Sequence, residues 1–144
     1  MKIINLSPHK VIYFNPYTTP TKRMNIKGRD IIVFDDSKEN LNKYIIYNFP
    51  KYSGRLPKVI KDYDSVPTRE VGNILINKDL QRSKVFYLPK QIPNTLYITS
   101  SRTALAVKQS YPERKDIIFP NKLISLLHDN GTYSTLGTLS FGEY

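Results

Sequence analysis

Two hydroxyls and a guanidinium stand side by side at Ser100, Ser101 and Arg102, where an apolar strand gives way to a helix. Leu96, Tyr97 and Ile98 read as buried strand, the serines end it, and Ala104, Leu105 and Val107 supply the apolar face of a helix that Pro112 stops. Unpaired N–H groups at such a helix start, beside hydroxyls and a cation, favour a phosphate or carboxylate. The same serines serve equally well as plain helix caps. Arg114 offers a second cation and Tyr97 a ring on which a base could stack. Asp116, one residue removed from Arg114, falls on the same side of an extended chain and is expected to orient that guanidinium and not to touch ligand. A second rank of candidates comprises Ser53 and Arg55, in the basic turn PKYSGRLP, and His9.

Other chemistries find little support. The chain has no Cys, so disulfides, thiol catalysis and thiolate metal sites are excluded together. Its two histidines, His9 and His128, stand far apart with no His-x-x-x-His or Glu-x-x-His spacing, and neither lies in a His-x-Ser or His-x-Thr motif. No metal and no cofactor is expected. General acid–base or nucleophilic work needs paired groups at workable spacing, and none is local, so the reading is of a protein that is not an enzyme.

The net charge of +10 directs attention to anionic partners: nucleotides, nucleic acid, acidic proteins. Lys and Arg are spread along the chain without a basic run. No apolar stretch approaches the roughly 20 residues of a membrane span, and the start MKIINLSPHK is not a secretory leader. A cytoplasmic protein is expected.

The elements that must hold these residues are mostly short strands. Lys2 to Leu6, Lys10 to Phe14, Asp30 to Phe34 and Tyr44 to Phe49 read as strands, with residues 15 to 29 a loop and the DDSKEN run a polar connection. Val59 and Ile60 start another strand, residues 62 to 67 form a loop, residues 69 to 76 a strand with a bulge at Gly72, and Lys84 to Leu88 one more strand. Leu123 to Leu127 and Tyr133 to Leu139 flank Asn130-Gly131, a hairpin signal because both residues accept positive φ. The expected class is α+β, mainly β, with eight to ten short strands and one short helix near residues 102 to 111, in a single domain spanning 1 to 144.

Several stretches, in order, resemble a family of small phage- and prophage-encoded proteins without an assigned function. The opening strand with Asn5, Leu6, Ser7, Pro8 and His9 is similar to the family's Asn-Leu-Thr-Pro-His motif, and Pro50 to Gly54 to its Pro-x-Ser-Gly turn with one residue extra. The strand, serine and alanine-containing helix through Tyr97, Ser100, Ser101, Ala104 and Ala106 resembles another shared unit, followed by Arg114, Asp116 and Pro120 and by a closing hairpin from Asn130 to Gly137. Residues 15 to 48 lie outside the resemblance, as an insertion. The resemblance implies a phage protein acting in the cytoplasm of a bacterial host, with no established catalytic residues. The leading expectation is a homo-oligomeric anti-defence protein that binds and sequesters a small phosphorylated ligand, a nucleotide immune signal. A phage structural or host-protein-binding module is the alternative, and a nucleic-acid-binding protein, which the charge admits, the third.

Overall fold

The computed structural model describes residues 1–144, the side chain of Gln81 excepted. Mainly β architecture is what it shows, with twelve strands rather than eight to ten. The first two strands, β1 (Lys2–Asn5) and β2 (Val11–Phe14), separate at once into different sheets. Then follow β3 (Thr21–Ile26), β4 (Arg29–Phe34), a 3-10 segment (Lys38–Tyr44) and β5 (Ile45–Phe49). Two long strands, β6 (Lys58–Val71) and β7 (Ile74–Phe86), precede β8 (Thr95–Ile98), helix α1 (Ser101–Ser110) and β9 (Ile117–Pro120). The chain closes through β10 (Leu123–Leu127), β11 (Tyr133–Thr138) and β12 (Phe141–Gly142).

These strands build a four-stranded sheet in the order β1-β8-β9-β12, a six-stranded sheet in the order β3-β4-β10-β11-β2-β5, and the two-stranded ribbon β6-β7. In the four-stranded sheet β1, β8 and β9 run parallel, which requires a crossover, and α1 supplies it between β8 and β9. The helix buries Ala104, Ala106 and Val107 against Leu6, Tyr97 and Ile117, with Val85 from the ribbon completing this core. A second core lies on the six-stranded sheet, where Phe14, Phe34, Ile124 and Leu139 meet Leu41 and Tyr44 of the 3-10 segment. That segment is held by Asp36, whose carboxylate accepts from Asn40, the Ser37 N–H and the Tyr44 hydroxyl; these bonds, in that order, keep it below the usual carboxylate range.

Residues 15 to 29 are not a loop throughout: Thr21–Ile26 pairs with β4 in an antiparallel hairpin. Its side chains are largely exposed, so the strand carries little of the hydrophobic alternation by which a strand is read. The segment from 15 to 48 supplies β3, β4 and most of β5, and through Val33 and Phe34 part of the core, so it is woven into the six-stranded sheet.

The larger correction concerns residues 58 to 86. The expected loop at 62 to 67 and the separate short strands are one continuous ribbon, paired from Lys58 opposite Phe86 to Val71 opposite Ile74. Gly72, with φ of 60°, is not a bulge but the first residue of the two-residue Gly72-Asn73 hairpin turn. The register shift lies instead between Pro67 and Arg69, at the residue following a proline that has no N–H to give the ladder.

The hairpin of β10 and β11 is present, with a turn one step different from the expected Asn130-Gly131 pair. The His128 carbonyl accepts from the Gly131 N–H at 3.0 Å, the His128 N–H donates to the Thr132 carbonyl at 2.8 Å, and only Gly131 has positive φ, at 82°. Asp129 and Asn130 are therefore the central turn residues and Gly131 follows them, the three-residue hairpin loop. The Asn130 side chain accepts from the Thr132 N–H, which fixes that geometry.

Candidate functional site

The residues singled out as anion-binding candidates do not converge on one site. Ser100 is the N-cap of α1, its Oγ accepting from the Thr103 N–H at 3.2 Å. Ser101 and Arg102 are exposed beside it. Arg102 belongs to the flank of the helix, where it lines a cleft of about 230 Å³ with Leu105, Ala106 and Gln109 on one side and Val59, Lys61 and Ser83 of the ribbon on the other. The two serines are not among the residues that line it.

Arg114 and Tyr97 do structural work. Nε and Nη2 of Arg114 each donate to a carboxylate oxygen of Asp116 at 2.8 Å, and Nη2 also reaches the Pro89 carbonyl at 2.9 Å. Both side chains are largely buried, at 12% and 4% exposure, and the hydrogen bonds that Arg114 donates to the Asp116 carboxylate raise its already high pKa against the opposing effect of burial. The guanidinium edge is thus occupied within the protein. Tyr97 is buried at 3% exposure and its hydroxyl donates to the Lys90 carbonyl, so its ring offers no open face for stacking. Together these two side chains fasten the connector at Pro89 and Lys90 to the four-stranded sheet. Arg55 lies 3.6 Å over the ring of Tyr87, a cation–π contact, and Ser53 lines a small recess with Asn5 and Tyr52.

His9 is in a different setting. It lines a cleft of about 900 Å³ together with Lys10 and Lys51. Val11, Leu123 and Leu136 give it apolar lining, and no carboxylate lines the cavity. Such a volume suits a small organic ligand, and three nitrogenous bases with an apolar lining suit one with both anionic and flat apolar parts.

The motif Asn5-Leu6-Ser7-Pro8-His9 explains how the walls are held. Asn5 is buried at 4% exposure. Its Nδ2 donates to the carbonyls of His9, Phe49 and Pro50 at 2.8, 3.3 and 3.2 Å, while its Oδ1 accepts from the Ser7 N–H at 3.0 Å. One amide side chain thereby ties the Ser7-to-His9 turn to the end of β5, and these two segments bring His9 and Lys51 to the same cleft. The Ser7 hydroxyl donates to the His9 carbonyl at 2.7 Å and tightens the same turn. Gly137 forms part of the lining because β11 passes so close to β2 that a Cβ there would lie 2.3 Å from the Ile12 carbonyl.

Lys10 and Lys51 were not singled out by residue type, since lone lysines on a basic chain carry no signal. A pointer was available in their neighbours: each follows a residue of a motif that the fold uses to bring distant segments together. No protein-family model, no curated protein and no solved structure matches this chain.

Proposed function

We propose that this protein binds a small phosphorylated ligand without transforming it, in the cleft bounded by His9, Lys10 and Lys51. The observation that carries the reading is the lining of that cleft: three basic residues, several apolar ones and no acid, in about 900 Å³. A phosphate needs cations or N–H donors, and a nucleobase needs a flat apolar surface. The cleft offers both, at a size that accommodates a nucleotide. Phage origin, which the resemblance of the Asn5-to-His9 and Pro50-to-Gly54 stretches implies, is the context for taking that ligand as a nucleotide signal of bacterial immunity, sequestered in the host cytoplasm by an anti-defence protein. The Ser100, Ser101 and Arg102 turn is a separate anion-facing surface and is not required for it.

The test is a thermal-shift series with the full chain against cyclic dinucleotides, cyclic trinucleotides, ADP-ribose and NAD, followed by chromatography of the recovered ligand. Binding at 100 times Kd stabilises by about 2.7 kcal/mol. A shift that is lost in Lys51→Ala and Lys10→Ala, with the ligand recovered intact, supports the reading. A shift that is unchanged in both variants places the ligand elsewhere and overturns it, and a chemically altered ligand makes the protein an enzyme. A second reading, an interaction module, is favoured by one specific feature, the exposed ribbon of β6 and β7.

A further inference from the structure

The ribbon is rooted in the protein only at its base. Val59 and Val85 pack into the core under α1, and the Ser110 hydroxyl donates to the Ser83 carbonyl at 2.5 Å. Beyond Ile60, every residue of β6 is exposed. Ten register pairs run from Lys61 opposite Ser83 to Val71 opposite Ile74, a length of about 33 Å at roughly 3.3 Å per residue. An isolated two-stranded ribbon is at best marginally stable in water, and this one has two faces and two edges open to solvent. Two exposed ion pairs, Arg82 with Asp64 and Lys84 with Asp62, cross one face near the base and contribute little each.

The tip is apolar. Val71, Ile74 and Leu75 are 53%, 67% and 59% exposed around the Gly72-Asn73 turn. In the register, Val71 faces Ile74 and Arg69 faces Ile76, so these four side chains share one face of the ribbon end, an apolar patch with a single cation.

The same chain carries a groove of matching chemistry. Tyr47, Phe49 and Phe141 line a cavity of about 450 Å³ whose floor is Ile3, Leu96 and Ile118, with Glu143 at its edge. Ile3, Leu96 and Ile118 alternate with Ile4, Tyr97 and Ile117, which face the core that holds the ribbon base. Groove and ribbon root therefore lie on opposite faces of the four-stranded sheet. A straight ribbon leaving one face cannot bring its tip to the other face of its own sheet. A second copy can.

We infer that this chain self-associates by arm exchange, the β6-β7 tip of one copy entering the aromatic groove of another, with Arg69 meeting Glu143. The apolar tip supplies the attraction, and the one charge on its face is opposite to the one charge at the groove. A two-fold dimer made this way has four contributing patches, two tips and two grooves. Because each copy carries +10, long-range repulsion opposes the contact at low ionic strength and salt relieves it.

Sedimentation equilibrium of the full chain over a wide concentration range, at low and high salt, tests this. Expected is a concentration-dependent mass above the monomer that is retained or strengthened at high salt. Ile74→Glu at the tip and Tyr47→Glu in the groove each change an exposed side chain, and matched circular-dichroism melts verify that each variant folds. Each alone is expected to be monomeric, and an equimolar mixture to regain association weaker than the parent's, because one of the two contacts, the intact tip of one variant in the intact groove of the other, is restored. A monomeric parent at every concentration overturns the proposal and leaves the tip to a different protein. An Ile74→Glu variant that associates like the parent overturns it equally, as does a mixture that at the highest concentrations associates no more than either variant alone.

Discussion

Replacing Asn5 by alanine removes the one side chain that joins the two walls of the basic cleft. The parent amide has two N–H protons for three carbonyl acceptors, at 2.8, 3.2 and 3.3 Å, and accepts one further bond at 3.0 Å, all within a site that is 4% exposed. Each such bond contributes about 1 kcal/mol net, and groups left buried without partners cost more, so Asn5→Ala is expected to lose about 2 to 4 kcal/mol. For a chain of this size that corresponds to a fall in Tm of about 5 to 15 °C. The binding readout should fall further than stability alone explains, because the Ser7-to-His9 turn and the end of β5 are no longer fixed relative to each other. Asn5→Asp is the sharper companion. It keeps the acceptor but turns a carboxylate toward three carbonyl oxygens, which raises its folded-state pKa above the unfolded value near 3.9. A raised pKa means that the folded state holds its proton longer as pH rises. The variant should therefore lie closest to the parent below about pH 4 and lose stability steadily as pH climbs through its folded pKa. Thermal melts of both variants from acid to neutral pH are the assay. An alanine variant melting within about 2 °C of the parent, less than 1 kcal/mol, would refute the role assigned to this side chain.

Two further substitutions probe the frame around it. Arg114→Ala strands the buried carboxylate of Asp116 and should cost about 3 to 5 kcal/mol, while the Arg114→Met, Asp116→Leu double variant should melt closer to the parent, as denaturant titration can establish. Gly137→Ala places a Cβ 2.3 Å from the Ile12 carbonyl and 2.9 Å from the Phe14 ring, and should destabilise by about 1 to 3 kcal/mol or more by forcing β11 from β2, read in the same titration.

What could be read from residue order differed sharply between the two halves of the molecule's surface. The strand, helix and strand from residue 95 to 120 and the closing hairpin were legible because burial concentrates apolar residues in them, as short continuous runs in β8 and β9 and as a helical face in α1. The ribbon was not, because both of its faces meet solvent beyond Ile60 and the alternation that marks a strand disappears. Its polar run at 62 to 67 then looks like a loop, and Pro67 reinforces the error. The Gly72-Asn73 dipeptide was the available signal, since a glycine-first pair between two strand-like runs marks a hairpin. For the site, the pairing of Arg114 with Asp116 follows from their spacing along a strand. That Tyr97 faces inward and not toward a ligand is decided by α1 covering it, which spacing does not reveal. The clustering of Lys10 and Lys51 depends on Asn5 reaching the end of β5, a contact between segments far apart in the chain.

The wide sequence separation of the paired strands sets an order of events as the chain is made. Lys2 pairs with Thr95 and Tyr13 with Thr138, so β1 and β2 have no strand partner from these later segments until the ribosome has delivered most of the protein. The β6-β7 hairpin needs only its own turn to close. Local pairings form quickly, whereas distant ones wait on loop closure. The β3-β4 and β6-β7 hairpins are thus the elements placed to form early, and β1 remains an unpaired edge on the nascent chain until β8 emerges.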